Sequence, residues 1–287
     1  MSEKHIDEVT GVETTGHEWD GIRELNNPMP RWWLWTFYLC IIWAIGYVIA
    51  YPAIPLINGA TPGLLGYSSR ADVVAELADA KVAQGALLEK IAATPVADIA
   101  GDRELLQFAI AGGSSAFKVN CAQCHGSGAS GSAGYPNLND DDWLWGGTID
   151  QIYQTIAHGI RFEADDDTHI SEMPGFADML EPEQINQVAA YVVSLSDTPS
   201  DAALVAPGQE VYADNCAACH GDNAEGVIDF GAPRLSDGIW LKGSTEAQIV
   251  AQIRNPKHGV MPAWVDRLGE PVVKQLAVYV HTLGGGL

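Results

Sequence analysis

The sequence predicts a mainly α-helical protein, with one N-terminal transmembrane helix followed by two tandem small helical domains. Three observations support this prediction: an uncharged apolar run that begins at Trp32, an internal duplication of the C-terminal part, and helical spacing of apolar residues in both copies. Neither copy shows the alternation of apolar and polar residues that is typical of half-buried strands. We expect this order: N-terminal segment 1–31, transmembrane helix 32–57, linker with a spacer helix 58–107, and domains 108–198 and 203–287.

The apolar run has the length and composition of a membrane-spanning helix. No charged residue occurs between Trp32 and Ser69, and the run from Trp32 to Tyr51 has no polar face. About 20 residues, at roughly 1.5 Å rise per residue, cross the ~30 Å hydrocarbon core of a bilayer. About 30 mostly polar residues precede the run, and no small-x-small cleavage site closely follows it. These features favour an uncleaved anchor over a signal peptide.

Polar or turn-rich segments flank the predicted anchor. Residues 1–31 are expected to be irregular, and Asn26–Pro30 breaks the chain just before the helix. Pro52 marks the end of the regular helix. A turn-rich stretch at 58–63 then leads to residues 71–92, whose apolar residues have helical spacing. This spacing predicts a spacer helix.

Four of the five cysteines form two Cys-x-x-Cys-His motifs, at Cys121–His125 and Cys216–His220. The motif is the attachment signature of c-type haem. Each thiol adds to one vinyl group of the porphyrin, and the adjacent histidine is placed to coordinate the iron. A thioredoxin-like dithiol lacks this histidine and lies in a βαβ pattern, and a zinc site would need to join two distant thiolate pairs. We predict two covalently bound c-type haems, held by Cys121, Cys124 and His125 and by Cys216, Cys219 and His220.

The internal duplication extends beyond these motifs. Pro136-Asn-Leu recurs as Pro233-Arg-Leu, 97 residues later, whereas Met173-Pro recurs as Met261-Pro with an offset of only 88. The change of offset places an insertion in the first copy, around 161–170. The sequence therefore predicts two cytochrome c-like helical haem domains, each formed by one copy. Helices are expected just before each cysteine motif and, later in the copies, at 149–156, 247–253, 182–195 and 271–283.

The two Met-Pro sequences supply a candidate for the sixth iron ligand in each domain, Met173 and Met261. A thioether favours ferrous iron, so His/Met ligation raises the reduction potential relative to two imidazoles. A core residue that fills a gap is the alternative interpretation of a methionine, and it suits Met179 better. His158, His169 and His258 remain alternative ligands.

Two prolines are candidates for supporting the proximal histidines. Pro136 lies 11 residues after His125, and Pro233 lies 13 residues after His220. In small cytochromes c, a proline at this distance offers its carbonyl to the other N–H of the proximal imidazole. An ordinary turn proline is the alternative. Because two six-coordinate irons leave no position for a substrate, we expect no catalytic residue in either domain and predict electron transfer.

The charge of the chain limits its partners. Fifteen Lys and Arg against 37 Asp and Glu give a formal net charge of −22. Nucleic acid is not an expected partner, because its binding requires basic residues that neutralise phosphates. The acidity suits a positively charged partner, although solubility alone explains it equally well. The acidic runs Asp140–Asp142 and Asp165–Asp167 are interpreted as solvated surface, and a calcium site is the alternative interpretation.

The stretch from Asp20 to Trp33, DGIRELNNPMPRWW, resembles the membrane entry of the CcoP (FixP) family, the dihaem subunit III of cbb3-type cytochrome c oxidases. The anchor, the spacer and the paired domains, with Met-Pro-Gly-Phe and Val-Met-Pro-Ala-Trp, extend the resemblance over nearly the whole chain. The resemblance implies a subunit of an oxygen-reducing complex that is non-catalytic on its own. It would accept electrons from a soluble or membrane-tethered cytochrome c. It would relay them towards a monohaem cytochrome c subunit and the catalytic haem b/copper subunit.

The position of the anchor predicts a topology. Arg31 at its entrance, together with haem attachment outside the bacterial cytoplasm, predicts a single-pass protein of the inner membrane, embedded in the lipid bilayer. The N-terminus is expected in the cytoplasm and the haem domains in the periplasm. Two alternatives stay open: a stand-alone membrane-tethered dihaem carrier, which would not need the Asp20–Trp33 segment, and a dihaem peroxidase, which needs an accessible sixth position.

Overall fold

The computed structural model describes residues 5–286, which divide between Lys81 and Val82 into two compact units. Residues 1–4 of the predicted N-terminal segment and Leu287 of the second predicted domain lie outside the described residues. Helices dominate the structure, and the predicted mainly α-helical fold class is confirmed.

The first unit contains a β-hairpin within the N-terminal segment that was expected to be irregular. Strand β1 (Thr14–Trp19) pairs antiparallel with β2 (Ile22–Leu25). Asp20 and Gly21 form the turn with φ angles of 48° and 84°. An Asp-Gly pair is favoured in such tight hairpins because both central residues need positive φ. The expectation of an irregular segment is therefore wrong for residues 14–25.

Helix α1 (Arg31–Ala50) is, among residues 5–286, the one helix that is long and apolar enough to cross a membrane. None of its described side chains is buried within the chain, as expected for a helix that faces lipid. The helix ends at Ala50, because Tyr51 precedes Pro52 and adopts an extended conformation. The predicted span of 32–57 is thus too long at its C-terminal end. A short hairpin follows, formed by β3 (Pro55–Leu56) and β4 (Gly59–Ala60).

The remaining helices include the spacer helix and every helix predicted in the duplicated region. Within the described residues, the two copies contain isolated β-bridges but no strand. The helices are α2 (Ser69–Ala93), α3 (Arg103–Asn120), α4 (Ala122–His125), α5 (Ile149–His158), α6 (Pro182–Ser194), α7 (Val205–Asn215), α8 (Ala217–His220), α9 (Glu246–Arg254), α10 (Val265–Leu268) and α11 (Glu270–His281).

Equivalent local signals start the equivalent helices of the two copies. Thr148 caps α5 by accepting a hydrogen bond from the backbone N–H of Gln151, whose side chain accepts one from the Thr148 backbone. Thr245 and Gln248 form the same capping box at the start of α9. Such reciprocal bonds satisfy N–H groups that would otherwise lack a partner in the first helical turn. Local sequence therefore explains where these helices begin.

The helices of each copy pack mainly against helices of the other copy. Helix α11, the last of the second copy, packs against α3 and α5 of the first copy. Helix α6, the last of the first copy, packs against α7 and α9 of the second copy. The structure therefore does not form each helical unit from one copy, as the predicted domains 108–198 and 203–287 assumed. Instead, the two copies exchange their last helices.

The connection between α6 and α7 gives a physical reason for this exchange. Only residues 195–204 separate these helices, and they include a short 3₁₀ turn at Ala202–Leu204. Helices joined by a short connection usually pack as antiparallel neighbours. One apolar cluster is consequently built within 173–253, whereas the other combines residues before 158 with residues after 260.

Candidate haem-binding site

Each Cys-x-x-Cys-His motif lies at the junction of a long helix and a single helical turn. The backbone N–H of His125 donates to the carbonyl of Cys121, and that of His220 donates to Cys216, both at 3.0 Å. Residues i, i+3 and i+4 of a helix share one face. The two thiols and the imidazole of each motif therefore lie on the same face, as joint attachment to one planar group requires. All four cysteines are free of disulfides.

The proximal histidines are held by the two predicted prolines. Nδ1 of His125 lies 3.2 Å from the carbonyl oxygen of Pro136, and Nδ1 of His220 lies 3.0 Å from that of Pro233. A protonated Nδ1 donates to each carbonyl, which leaves Nε2 as the nitrogen that can bind a metal. Burial lowers the pKa of both histidines, and the proline carbonyls oppose this effect. The neutral imidazole that a metal ligand needs is thus favoured.

Two loops with the same backbone conformation position these carbonyls. Ala129 and Ala224, each four residues after its histidine, have φ angles of 59° and 58°. The carbonyls of these alanines accept hydrogen bonds from Leu138 and Leu235, respectively, both at 2.8 Å. This left-handed conformation is unfavourable for a residue other than glycine or asparagine. Its recurrence indicates that both loops are shaped by the same requirement, which is to bring a carbonyl to the imidazole.

The surroundings of the thiols fit an apolar macrocycle. Burial raises the pKa of Cys121 and of Cys216 to about 11, so both thiols are protonated at neutral pH. Cys121 packs against one apolar cluster and Cys216 against the other. A zinc site needs thiolates and is favoured by polar or positively charged surroundings. The cysteine pairs therefore fit attachment of a porphyrin better than binding of a zinc ion.

One Met-Pro methionine lies in each apolar cluster. Met261 packs against the cluster that Cys121 also joins, and Met173 packs against the cluster that Cys216 joins. Both methionines are half-buried. Met179, by contrast, is 63% exposed, so its interpretation as a core residue is wrong. The donor set beside each motif thus comprises two thiols, one imidazole and one thioether, which fits a c-type haem with His/Met ligation.

Two of the three alternative histidines make contacts that do not involve an iron ligand role. The ring of His169 stacks on Trp145, with centroids 4.1 Å apart, and its Nε2 lies 3.2 Å from Oγ1 of Thr155. Nε2 of His258 lies 3.1 Å from the carbonyl oxygen of Met173. Both arrangements satisfy the imidazole nitrogen that would otherwise be the natural metal ligand.

The third alternative, His158, is the last residue of α5 and contacts the acidic insertion. Its Nδ1 lies 3.1 Å from both carboxylate oxygens of Asp165. The ligand atoms of His158, Asp165 and Asp167 all lie within 4.8 Å of one another. Asp165 and Asp167 belong to one of the two acidic runs, and Asp167 is exposed, as expected for solvated surface, whereas Asp165 is half-buried. The pairing with Asp165 accounts for His158 without an iron ligand role.

Two apolar helical clusters, each with a haem-attachment motif and a thioether, define an electron-transfer protein of the cytochrome c class. Two family models match the chain: "N-terminal domain of cytochrome oxidase-cbb3, FixP" at residues 11–58, and "Cytochrome C oxidase, cbb3-type, subunit III" at 108–192 and 203–280. The chain belongs to the FixP/CcoP family of cbb3-type cytochrome c oxidase subunits, as the resemblance predicted, and the family binds c-type haem.

Relatives of full length support this assignment. The chain is 65% identical to the cbb3-type cytochrome c oxidase subunit FixPc of Rhizobium leguminosarum bv. viciae. The 286 aligned residues cover 100% of both chains. It is 64% identical to the FixP subunit of Rhizobium meliloti over 99% of this chain and 98% of the relative. It is 54% identical to the CcoP subunit of Cereibacter sphaeroides over 95% of both chains.

Proposed function

We propose that this chain delivers electrons to the oxygen-reducing centre of a cbb3-type cytochrome c oxidase. It accepts electrons from a soluble or membrane-tethered periplasmic cytochrome c and passes them towards a monohaem cytochrome c subunit and the haem b/copper subunit. The observation that carries this proposal is the repeated site: each imidazole is held by a proline carbonyl, at 3.2 and 3.0 Å, beside two free thiols.

This geometry supports an assignment of the residues that hold the cofactors. Two c-type haems are bound covalently, and each iron, when bound, carries one electron by changing between its ferric and ferrous states. The proline carbonyls fix the orientation of the imidazoles, and the apolar clusters exclude water from the axial ligands. The thioether bonds would come from Cys121, Cys124, Cys216 and Cys219, the iron ligands would be His125, His220, Met173 and Met261, and the supporting carbonyls belong to Pro136 and Pro233.

The chain is non-catalytic on its own under this proposal. An imidazole and a thioether would hold each iron when haem is bound, so no ligand position would remain for oxygen or peroxide. A dihaem peroxidase would need one open position beside the iron. The chain's role is therefore to hold two electron carriers in place, while oxygen reduction belongs to the haem b/copper subunit.

The proposed topology places the haem domains in the periplasm. Helix α1 spans the inner membrane once, with Arg31 in its first turn on the cytoplasmic side. Residues preceding the helix are cytoplasmic, and residues 58–107 form the periplasmic linker. The net charge of −22 favours encounter with a positively charged donor.

The test is purification of the tagged chain from membranes in mild detergent, followed by haem and metal analysis. We expect two covalent haems per chain, together with non-covalent haem b and copper from associated subunits. Cys121→Ala/Cys124→Ala and Cys216→Ala/Cys219→Ala should each remove one covalent haem. A dihaem chain that purifies without haem b and copper would favour a stand-alone carrier. Ready binding of carbon monoxide to a ferrous c-type haem would contradict closed axial positions.

A further inference from the structure

A buried tryptophan of the first copy connects the surroundings of the two motifs. Trp145 is 9% exposed and, in the described part of the chain, belongs to neither apolar cluster. We propose that Trp145 is a positioning residue that fixes the loop after the second motif against the helices around the first motif. It thereby sets the placement of the second haem relative to the first for electron transfer between them. This inference rests on the proposed function, which assigns one haem to each motif.

The first contact of Trp145 is with the second haem loop, residues 221–233, which runs from His220 to its supporting proline. A Cβ atom at Gly231 would overlap the six-membered ring of Trp145, so the ring lies directly on the backbone of this loop. Gly231 lies two residues before Pro233, whose carbonyl oxygen is 3.0 Å from Nδ1 of His220. A displacement of Gly231 would therefore reach the carbonyl that orients the proximal imidazole.

The second contact of Trp145 is with the insertion of its own copy. Its ring stacks on that of His169, with centroids 4.1 Å apart and an angle of 17° between the planes. His169 is in turn fixed to α5: its Nε2 lies 3.2 Å from Oγ1 of Thr155, and its backbone N–H donates to the carbonyl of Gly159 at 3.3 Å. Helix α5 packs in the apolar cluster that Cys121 also joins. The stack therefore connects the second haem loop to the helices around the first motif.

The duplication provides an internal comparison for this contact. Lys242 lies 97 residues after Trp145, and Gly231 lies 97 residues after Gly134, which belongs to the first haem loop, residues 126–136. A Cβ atom at Gly134 would lie 3.8 Å from Nζ of Lys242, so the equivalent side chain reaches the equivalent glycine. Lys242 is exposed, however, whereas Trp145 is buried. The same contact is thus made by a rigid ring on one side and by a long charged chain on the other.

The first haem loop is joined to the second copy by a different contact. The backbone N–H of Gly134 donates to the carbonyl of Leu241 at 3.1 Å, whereas that of Gly231 donates within its own loop, to Ile228 at 2.9 Å. The second loop therefore depends on the ring of Trp145 where the first loop uses a backbone hydrogen bond. An aromatic ring loses little conformational freedom when it is fixed, unlike the side chain of a lysine.

The step that this arrangement serves is the transfer of one electron between the two haems. A ferrous iron is oxidised and a ferric iron is reduced, while no proton moves and no bond forms or breaks. The rate of such a step falls steeply with the separation of the two carriers, so the protein acts through the position in which it holds them. A loop that moves freely would hold the second haem at a range of separations.

The test compares Trp145→Leu with the unmodified chain. In the oxidised full-length chain, pulsed electron paramagnetic resonance measures the dipolar interaction between the two ferric haems. We expect Trp145→Leu to broaden the distribution of haem separations. In the purified oxidase complex, carbon monoxide is photolysed from the oxygen-reducing subunit in the presence of oxygen, and oxidation of the c-type haems is followed in time. The last phase, which includes transfer between the two haems, should slow severalfold, and the earlier phases should be unchanged.

Matched variants separate a positioning role from a general loss of stability. Trp145→Phe keeps an aromatic ring beside His169 and should restore both measurements. Lys242→Leu changes the equivalent position and should leave both unchanged. His169→Ala removes the stacking partner but keeps Trp145, and it should also broaden the distribution and slow the last phase. This variant tests the inference even if Trp145→Leu loses its haem.

An unchanged distribution of separations and an unchanged last phase in Trp145→Leu would overturn the inference. The same changes in Lys242→Leu as in Trp145→Leu would also overturn it, because the effect would then not depend on the buried ring. If oxygen did not oxidise the c-type haems of the complex containing the unmodified chain, the proposed function itself would be contradicted.

Discussion

Gln275 of α11 lies so close to Gly113 of α3 that the glycine has no room for a side chain. The backbone carbonyl of Gln275 occupies the position that a Cβ atom would take, so the two helices could accept one only by moving apart. Because Gly113 has only a hydrogen atom in place of a side chain, α3 and α11 can pack closely. Helix α11 thereby lies against the helix that leads into the first haem motif.

We predict that Gly113→Ala destabilises the protein, by about 1–3 kcal/mol, because overpacking at a close helix crossing forces the backbone to shift. Gly208→Ala should act similarly at the equivalent crossing. Gly85→Ala is the matched control: it lies within a helix, and nothing lies within 4 Å of the added atom. Here alanine should stabilise the protein by roughly 0.5–1 kcal/mol. Denaturant unfolding followed by helical circular dichroism distinguishes these outcomes, and equal effects at positions 85 and 113 would contradict the prediction.

Lys274 provides a second test of how α11 is fixed. Its buried ammonium group donates to the carbonyls of Ala92 and Thr94, at 2.8 and 3.0 Å, and pairs with Glu270 at 2.8 Å. We expect Lys274→Met to cost about 1–3 kcal/mol in the free energy of unfolding, because it leaves helix-end carbonyls without their donor. Lys81→Met, at an exposed position, is the control and should change stability little. If Lys274→Met were as stable as Lys81→Met, the buried contacts of Lys274 would contribute nothing to the free energy of unfolding.

His169 should make stability depend on pH. Burial lowers its pKa, and the nearby His158 and Arg161 act in the same direction. An unfolded histidine titrates near pH ~6.5, so the unfolded state binds the proton more tightly than the folded state does. This contribution to stability is complete above about pH 6.5 and is lost as the pH falls through the lower folded pKa.

His169→Phe keeps an aromatic ring on Trp145 and removes the titration. We expect the melting temperature of this variant to fall less than that of the unmodified protein between about pH 7 and pH 5. The spectra and potentials of both haems should be unchanged, since Nε2 contacts Thr155. An altered ferric haem spectrum would instead point to a bis-histidine site.

The hydrogen bond from His220 to Pro233 should tune the second motif's haem. A carbonyl that accepts from Nδ1 makes the imidazole a stronger donor to the iron and so stabilises the ferric state. Pro233→Gly loosens the loop, weakens this bond and should raise the midpoint potential of that haem, by less than exchange of an axial ligand would change it. Redox titration with Pro199→Gly as the control checks this. A lowered potential would contradict the assigned role of the carbonyl.

Local features of the chain were predictable because their signals lie within a few residues. The capping boxes at Thr148 and Thr245 start α5 and α9, the charge-free run identifies α1, and the Cys-x-x-Cys-His spacing identifies the candidate sites. The hairpin at 14–25 was missed although its Asp-Gly turn was visible, because its strands are short and polar. Pro52, already identified from the sequence as the end of the regular helix, also forces Tyr51 out of α1, so that the helix ends at Ala50.

The sequence by itself determined the chemistry of this protein: its thiols, imidazoles and thioethers, and the helix that anchors them. Only the tertiary structure decided which of these groups share a cluster. The two copies are so alike that Tyr191 and Tyr279 carry equivalent signals, and either could pack beside Phe117. The choice depends on connection lengths, such as the short link from α6 to α7. It also depends on long-range contacts, such as the hydrogen bond from Arg161 to the carbonyl of Gly259. These act between residues far apart in the chain, where the spacing of a motif gives no information.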